Sequence, residues 1–230
     1  MKADIAEIFL SYQGEGPYAG SRQIFVRFSD CNLGCAYCDT RERARIPYTA
    51  GQLIDEISAA GDFNEMSLTG GEPLLYSGFL REALPLFKGI FKNKIYLETN
   101  GTLPGRLKEV IDTVDIVSMD LKLPSSTGQE KGYWREHAEF VDICSGKELI
   151  LKAVVTADTL AADIEKAADI IRLSEKDTRI VLQPVTPVEY GADIKRPEKA
   201  SLQHFSGIIE RRTGRAPCIM GQIHRMLGVR

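Results

Sequence analysis

The sequence has little that would tie it to a membrane or to a nucleic acid. Its formal net charge is only -3, and charged residues make up 27% of its 230 positions, so neither sign is in excess enough to attract a polyanion or a lipid surface. The opening MKADIAEIFL lacks a basic start followed by a long apolar run, and no segment approaches the ~20 apolar residues of a membrane helix. We therefore expect a cytoplasmic protein with neither a membrane nor a direct nucleic-acid partner.

Cysteine is scarce, and its distribution argues against a disulfide framework. Cys31, Cys35 and Cys38 lie close together, whereas Cys144 and Cys218 stand alone. Disulfide-stapled secreted proteins instead carry an even set of spaced cysteines. The triplet therefore indicates thiols that stay reduced and available to a metal. The two isolated cysteines are expected to be small buried hydrophobic side chains.

Repeats, low-complexity tracts and Pro/Gly/Ser linkers are also absent, which favours a single domain over residues 1–230. Short β-branched and apolar runs predict strands that are buried on both faces, at 23–28, 66–69, 94–99, 115–121, 149–155 and 179–185. Segments with helical spacing between them predict helices at 49–61, 76–90, 104–114, 159–175 and 197–214.

This alternation predicts an α/β fold with a parallel sheet and right-handed crossover helices. About six strands are too few for a closed eight-unit barrel, so we expect a partial, open β/α barrel. The largest irregular region is predicted at 123–140, as a surface loop or an active-site lid.

Four polar motifs follow predicted strands: CNLGCAYCDT, TGGEP, ETNGT and QPVTP. In a parallel sheet the carboxyl ends of the strands meet at one edge, where ligands bind. The motifs therefore predict one convergent site rather than a row of unrelated surface turns.

The cysteine triplet has three chemical interpretations. A structural zinc needs four Cys or His ligands, and His137, His204 and His224 are all far from the triplet in sequence. A four-iron cluster held by three thiolates leaves one iron open to another ligand, which fits three cysteines. A redox or purely structural thiol group is the third possibility.

Recognition of a superfamily rests on the spacing of Cys31, Cys35, Tyr37 and Cys38, which resembles the signature of radical S-adenosylmethionine (SAM) enzymes. The resemblance implies a [4Fe-4S] cluster on the three cysteines, with SAM chelating the open iron and serving as the source of a 5′-deoxyadenosyl radical. TGGEP likewise resembles the GGE loop that receives the methionine amino group. The SAM-binding residues implied are Tyr37, Cys38, Asp39, Gly70, Gly71, Glu72, Glu98, Asn100, Ser118, Lys122 and Gln183. For Ser118, Lys122 and Gln183, ordinary hydrogen bonding at a strand end is an equal alternative.

The segment IFLSYQGEGPYAGSRQIFVRFSDCNLGC, which starts at Ile8, is similar to the beginning of the 7-carboxy-7-deazaguanine synthase family. The similarity continues through CDT, TGGEP and QPV to the tail QIHRMLGVR, and it leaves 123–148 unmatched. It implies a carbon–nitrogen lyase that converts 6-carboxy-5,6,7,8-tetrahydropterin to 7-carboxy-7-deazaguanine with loss of ammonia, in the route to queuosine or archaeosine. A flavodoxin or ferredoxin as electron donor and a homodimer are implied as well.

The same family resemblance implies substrate-binding roles for Tyr12, Gln13, Gly14, Glu15, Arg27, Thr69 and Arg230, and Mg²⁺ binding by Thr40. Arg27 lies on an apolar strand and needs a buried partner, which a substrate carboxylate would supply, although a surface salt bridge is the alternative. Gln13 and Glu15 offer polar edges to a pterin, or else serve only to form a turn. By residue type alone, Asp39 and Thr40 could equally cap a helix.

Two other function classes remain in competition. A glycyl-radical activating enzyme would carry the same CxxxCxxC motif and act on a protein partner, but it would leave the QGEG loop, Arg27 and Thr40 without a role. A zinc-bound structural or interaction module would contain zinc and no iron.

Overall fold

Nine strands form one sheet within the described residues, which are 1–39, 44–187, 194–224 and 228 of this computed structural model. The strands are β1 (Lys2–Tyr12), β2 (Arg22–Phe28), β3 (Ile46–Thr49), β4 (Glu65–Gly70), β5 (Lys94–Thr99), β6 (Ile116–Asp120), β7 (Glu148–Val155), β8 (Arg179–Pro184) and β9 (Cys218–Ile219). Their order across the sheet is β3-β1-β2-β4-β5-β6-β7-β8-β9.

The six predicted strands correspond to β2 and β4 to β8, which run parallel and pair as consecutive neighbours. They read as continuous apolar runs because helices cover the parallel sheet on its outer side. β3 and β9 lie at opposite edges, so the sheet is open. The predicted α/β fold with crossover connections is therefore confirmed. The six parallel strands are the ones that the apolar runs in the sequence predicted.

Three further strands, which the sequence did not predict, extend the sheet beyond the six predicted parallel strands. β1 and β3 are antiparallel additions beside β2, and β9 is a two-residue parallel strand beside β8. β1 is only partly buried along much of its length and carries Asp4 and Glu7 between apolar residues, which weakens the apolar run that marks a strand. On the two-residue strand β9, Cys218 is exposed, so the expectation that it is buried was wrong, whereas Cys144 is buried as expected.

The helices of the described residues are α1 (Ala50–Ala59), α2 (Ser77–Ile90), α3 (Pro104–Leu107), α4 (Pro124–Thr127), α5 (Trp134–Ile143), α6 (Ala161–Ile171) and α7 (Lys199–Thr213). The helix predicted at 104–114 is instead α3 followed by a 3₁₀ turn at Ile111–Thr113. No helix in these ranges is both long and apolar enough to cross a lipid bilayer.

The region 123–140 is not the irregular lid that its polar composition suggested. It contains α4 and most of α5, and α5 buries His137 and Phe140 completely. The indole ring of Trp134 packs edge-on against the His137 imidazole, with 6.4 Å between the ring centres. Helical spacing was missed here because α5 is short and its apolar residues are interspersed with charged ones.

The hairpin turn between β1 and β2, residues 13–21, lies at the amino-terminal end of the parallel strands. Tyr12 pairs with Arg22, the first residue of β2. Within the turn, the Tyr18 hydroxyl donates to the carboxylate of Glu148, the first residue of β7, at 2.9 Å. The Tyr18 ring packs edge-on against the Tyr96 ring, with 5.3 Å between the ring centres. Tyr96 belongs to a small buried cluster with Ile116, Ile150 and Val181. The 13–21 turn therefore covers the amino-terminal end of the sheet's inner face.

We expect Leu97→Ala to destabilise the protein strongly because Leu97 lies in the central strand β5 with 0% of its surface exposed. Deleting a fully buried leucine side chain costs about 2–5 kcal/mol of unfolding free energy. Leu86→Ala is the matched control, because Leu86 on α2 is 48% exposed and its truncation should change the free energy by less than ~0.5 kcal/mol. Urea unfolding of both variants under reducing conditions measures the difference, and equal effects would contradict the placement of Leu97 in the core.

Candidate active site

The three clustered cysteines line one cavity at the carboxyl edge of the parallel strands, which we call the cysteine cavity. Cys35 is buried, Cys38 is half-buried and Cys31 is exposed. Burial raises the pKa of the Cys35 thiol, although the nearby Lys122 ammonium opposes this effect. Thiolates are the ligands that iron–sulfur clusters take, and metal binding removes the thiol protons. The donor set therefore fits a cluster. No three His, Cys, Asp or Glu side chains in the described ranges are grouped so as to hold a single metal ion.

The cysteine loop is anchored from two sides. On one side the Ala36 amide donates to the Thr127 carbonyl of α4 at 2.8 Å. On the other side Asn32 joins the loop that follows β5, because its Oδ1 accepts from Asn100 Nδ2 at 2.8 Å and its Nδ2 donates to Thr102 Oγ1 at 2.9 Å. The region that matched no family pattern thus supports the cluster loop through Thr127. A second support is the buried His137 ring, whose Nε2 lies 3.2 Å from the Asn100 carbonyl oxygen.

Glu72 of the TGGEP motif lies behind the cavity wall. It is 0% exposed, and its carboxylate accepts hydrogen bonds from the Leu74 amide, the Asn100 amide and the Thr99 hydroxyl at 3.1, 2.7 and 2.8 Å. Burial raises the pKa of Glu72 to about 7, although these donors oppose the rise. This placement does not support the expected contact between Glu72 and the SAM ammonium group, because the carboxylate already holds the β4 and β5 loops together.

The other residues predicted to bind SAM all line the cysteine cavity: Tyr37, Cys38, Asp39, Gly70, Gly71, Glu98, Asn100, Ser118, Lys122 and Gln183. Gly70 has φ +111°, and a Cβ there would lie 2.5 Å from the Phe28 carbonyl oxygen, so only glycine can pass this point. Gln183 is 4% exposed, and its side-chain Oε1 has no hydrogen-bond partner among the described residues. An orphaned amide oxygen in the cavity wall is suited to accept from an adenine amino group.

A second cavity adjoins the first, and we call it the arginine cavity. Its lining includes the described residues that were predicted to bind substrate: Tyr12, Gln13, Gly14, Glu15, Arg27 and Thr69. Residues that line both cavities are Glu15, Asp39, Thr69, Gly70, Glu98, Lys152 and Gln222. The structure therefore brings the two predicted residue sets together around one shared wall.

Gln13 both shapes the 13–21 turn and contacts the shared wall. Its Oε1 accepts from the Gly14 and Glu15 amides at 2.9 and 3.1 Å, which is the turn-forming role. Its Nε2 donates to Glu98 Oε1 at 2.8 Å, and Thr69 Oγ1 donates to Glu98 Oε2 at 2.9 Å. Burial raises the pKa of Glu98, although Lys152 opposes the rise. Glu98, predicted only as a SAM contact, thus also organises two predicted substrate residues.

Arg27 combines a salt bridge with a place in the arginine cavity. Its Nε donates to Glu7 Oε1 at 2.6 Å, with both side chains about one-quarter exposed (24% and 27%), and its guanidinium lies 5.6 Å from the Phe9 ring centre. A guanidinium carries five N–H donors, so the single Nε contact can orient the group without using its two-pronged end. The two alternatives posed for Arg27, a salt bridge and a substrate carboxylate, are therefore compatible.

A row of alternating buried charges, which sequence reasoning missed, runs along the cavity wall. Lys152 on β7 forms ion pairs with Glu15 and, at 3.3 Å, with Asp120 Oδ1, and Asp120 Oδ2 accepts from Lys122 Nζ at 2.6 Å. The exposed fractions of these side chains are only 10–19%. Burial would raise the pKa of Glu15 and of Asp120, but the lysines outweigh it and both are lowered. The row ends at Tyr37, whose ring centre lies 5.6 Å from Lys122 Nζ.

Lys152 and Asp120 could have been found from the sequence, since each is a charged residue within a predicted strand, the same signal that singled out Arg27. Gln222 and His224 were also missed as individual residues, although the tail was noted. Gln222 Nε2 donates to Glu15 Oε1 at 2.7 Å, and a Cβ on Gly14 would lie 1.8 Å from the His224 ring. The tail therefore packs directly on the 13–21 turn. Thr40 and Arg230, expected to bind Mg²⁺ and substrate, lie outside the described residues.

Solved structures share this fold. The crystal structure of QueE from Escherichia coli matches with a TM-score of 0.65 at 21% identity, over 97% of this chain and 95% of that chain. A radical SAM methyltransferase from Sphaerobacter thermophilus matches with a TM-score of 0.63 at 17% identity, over 93% of this chain and 77% of that chain. At such low identities these likenesses concern the fold alone.

The family model of the radical SAM superfamily matches residues 25–145, which include the cysteine loop, TGGEP and ETNGT, and the chain is thus a radical SAM protein. A 7-carboxy-7-deazaguanine synthase from Geobacter sulfurreducens is 35% identical over 98% of this chain and 97% of the relative, and one from Methanothermobacter thermautotrophicus is 33% identical over 100% and 99%. The chain belongs to the 7-carboxy-7-deazaguanine synthase family.

Asn32→Ala should loosen the cysteine loop, because it removes both side-chain hydrogen bonds to the loop after β5. With each bond contributing about 1 kcal/mol, we expect iron to leave the reconstituted protein about fivefold faster or more. Absorbance of the iron–sulfur chromophore during incubation with a chelator measures this rate. Asn64→Ala is the control, since Asn64 makes an exposed bond to Ser21 and should lose iron at the wild-type rate. Equal rates for both variants would show that the Asn32 bonds do not hold the cluster loop.

Proposed function

We propose that this chain converts 6-carboxy-5,6,7,8-tetrahydropterin to 7-carboxy-7-deazaguanine with loss of ammonia, as a step in 7-deazapurine biosynthesis. The observation that carries the proposal is the shared wall between the cysteine cavity and the arginine cavity. A radical enzyme needs its cofactor and its substrate side by side. Here the residues predicted to bind SAM line one cavity, the residues predicted to bind substrate line the other, and the two cavities share part of their lining. The names of the relatives supply the particular reaction.

Cys31, Cys35 and Cys38 would hold the [4Fe-4S] cluster, and the remaining lining of the cysteine cavity would hold SAM. When bound, this pair supplies a carbon-centred radical that can take a hydrogen atom from the substrate. The protein's part is to bind, orient and exclude water. Lys122 offers an ammonium to the SAM carboxylate, and Gln183 offers its unpartnered Oε1 to the adenine.

In the arginine cavity the pterin would meet groups that match its polar edges. The Glu15 carboxylate is kept ionised by Lys152 and accepts from N–H donors of the pterin ring. Arg27, oriented by Glu7, pairs with the substrate carboxylate. Thr69 and Glu98 stand at the shared wall, where the reacting carbon must lie close to the SAM site. No side chain in the described ranges is assigned as a general base.

Mg²⁺ is a further part of the proposal and rests on the resemblance of the CDT segment at 38–40. A threonine hydroxyl, a substrate carboxylate and several waters would suit this oxygen-preferring ion. Asp39 lines both cavities, so the chain passes between them just before Thr40. A flavodoxin- or ferredoxin-type electron donor and a second copy of this chain as partner are proposed on the same resemblance. A single domain over 1–230 is proposed from the absence of repeats and linkers in the sequence.

The deciding experiment incubates the anaerobically reconstituted, reduced protein with SAM and carboxytetrahydropterin, with and without Mg²⁺. Formation of the deazapurine, followed by chromatography and mass spectrometry, is the expected result, and its absence with Mg²⁺ present would refute the proposed reaction. A glycyl-radical activating enzyme would instead cleave SAM without using the pterin. Zinc at one per chain with no iron would identify a structural module. Thr40→Ala should abolish the stimulation by Mg²⁺, and unchanged Mg²⁺ dependence would remove the metal assignment alone.

Arg27→Met should raise the KM for the pterin substrate about 10- to 100-fold, because a hydrogen-bonded charge pair contributes about 1.5–3 kcal/mol. The dissociation constant of SAM should stay within about twofold, because Arg27 lines only the arginine cavity. Arg81→Met is the matched control, since Arg81 is 57% exposed and lies 4.0 Å from Glu109. Steady-state kinetics and SAM binding separate the two effects, and a wild-type KM for Arg27→Met would exclude a substrate contact.

A further inference from the structure

Lys152 has no role in the scheme above beyond its charge, yet it is one of the most enclosed ionic groups in the described chain. Its side chain is 11% exposed and lies at the fifth position of the eight-residue strand β7. A buried ammonium is costly unless it is paired and hydrogen-bonded. Lys152 meets this condition through a hydrogen-bonded ion pair with Glu15 from the 13–21 turn, and a second ion pair joins it to Asp120 at the end of β6.

Glu15 needs such a partner in order to face a ligand in one orientation. It belongs to a turn rather than to a strand, so no ladder of backbone hydrogen bonds holds it in place. Its Oε2 is paired with Lys152 and its Oε1 with Gln222 Nε2 at 2.7 Å. A two-point hold of this kind leaves the remaining lone pairs of the carboxylate aimed in fixed directions.

Asp120 keeps Lys152 itself in place. Its Oδ1 lies 3.3 Å from Lys152 Nζ as an ion pair, while its Oδ2 accepts from Lys122 Nζ at 2.6 Å. Because Lys122 also holds Asp120, Lys152 is fixed to the end of β6. It therefore stays in place if the 13–21 turn shifts. The ion pair between Lys152 and Glu15 therefore fixes the position of the 13–21 turn relative to the sheet.

We propose, on the basis of the function proposed above, that Lys152 is a positioning residue that fixes the Glu15 carboxylate for recognition of the pterin ring without contacting the substrate itself. Its substitution should weaken substrate binding much more than SAM binding, because Lys122 still holds Asp120 beside the SAM site.

The test is a double-mutant cycle with Lys152→Met, Glu15→Gln and the double variant, compared with wild type. Substrate affinity is measured by calorimetry on the protein with its cluster oxidised and SAM present, so that no turnover occurs. KM and kcat are then measured on the reduced enzyme.

Lys152→Met and Glu15→Gln should each weaken substrate binding about 10- to 100-fold. The double variant should be no weaker than Glu15→Gln, because two residues that act as one unit are not additive. Because Glu15 and Lys152 line both cavities, the dissociation constant of SAM can change in all variants, but by much less than that of the substrate.

Multiplying effects in the double variant, or unchanged substrate affinity in a folded Lys152→Met protein, would overturn the proposal. If Lys152→Met alone does not fold because it leaves Glu15 buried without a countercharge, the comparison of Glu15→Gln with the double variant still decides. A double variant that binds substrate at least about tenfold more weakly than Glu15→Gln would mean that Lys152 acts other than through Glu15.

Lys88→Met is the matched control for loss of a lysine ion pair. Lys88 pairs with Asp115 at 2.5 Å and lines neither cavity, so this variant should keep wild-type substrate affinity. Wild type forms the reference for the proposed function. If wild type neither binds nor converts the pterin, the proposed function fails and the inference falls with it. If wild type does both while the cycle is additive, only the inference fails.

Discussion

The alternation of sign along Glu15, Lys152, Asp120 and Lys122 is the constraint on which the rest of the site depends. Charges removed from water are tolerated only when each faces an opposite charge at hydrogen-bonding range, and here every member of the row does. The row crosses three elements, namely the 13–21 turn, the end of β6 and the middle of β7. The two cavities can therefore share one wall in which each of these four charged residues has a partner of opposite charge.

A second set of contacts holds the loops around this wall. Glu72 accepts hydrogen bonds from the loops after β4 and β5, and Asn32 attaches the cysteine loop to the loop after β5. These are neutral or buried hydrogen bonds, which fix direction more than they add net stability. The cysteine loop carries residues that must keep a fixed geometry for cluster binding, and its anchors lie in segments distant in sequence.

The sequence pattern predicted the parallel part of the fold because strands buried on both faces are written as continuous apolar runs, as in KIYLET. It predicted the cavity membership of residues next to glycine-rich strand ends, such as Gly70 and Asn100. It could not separate the roles of Glu72 and Glu98, since both are glutamates at or just after the carboxyl end of a strand. Only three-dimensional packing turns Glu72 inward and Glu98 toward the cavity. Strand β1 was missed because it is only partly buried, and helix α5 was missed because charged residues interrupt its apolar ones. Lys152 was overlooked although Arg27, in the same kind of position, was not.

The placement of the 13–21 turn bears on how the chain tolerates changes in length. Tyr18 reaches across to Tyr96 and Glu148, and Gln13 and Glu15 reach the shared wall from the same turn. Most hairpin turns project into solvent and accept insertions readily, but this one spans a fixed gap between strands. An added or deleted residue between Gln13 and Tyr18 would move either the aromatic end or the carboxylate end out of place. The 13–21 turn is therefore a connection with little freedom to vary in length.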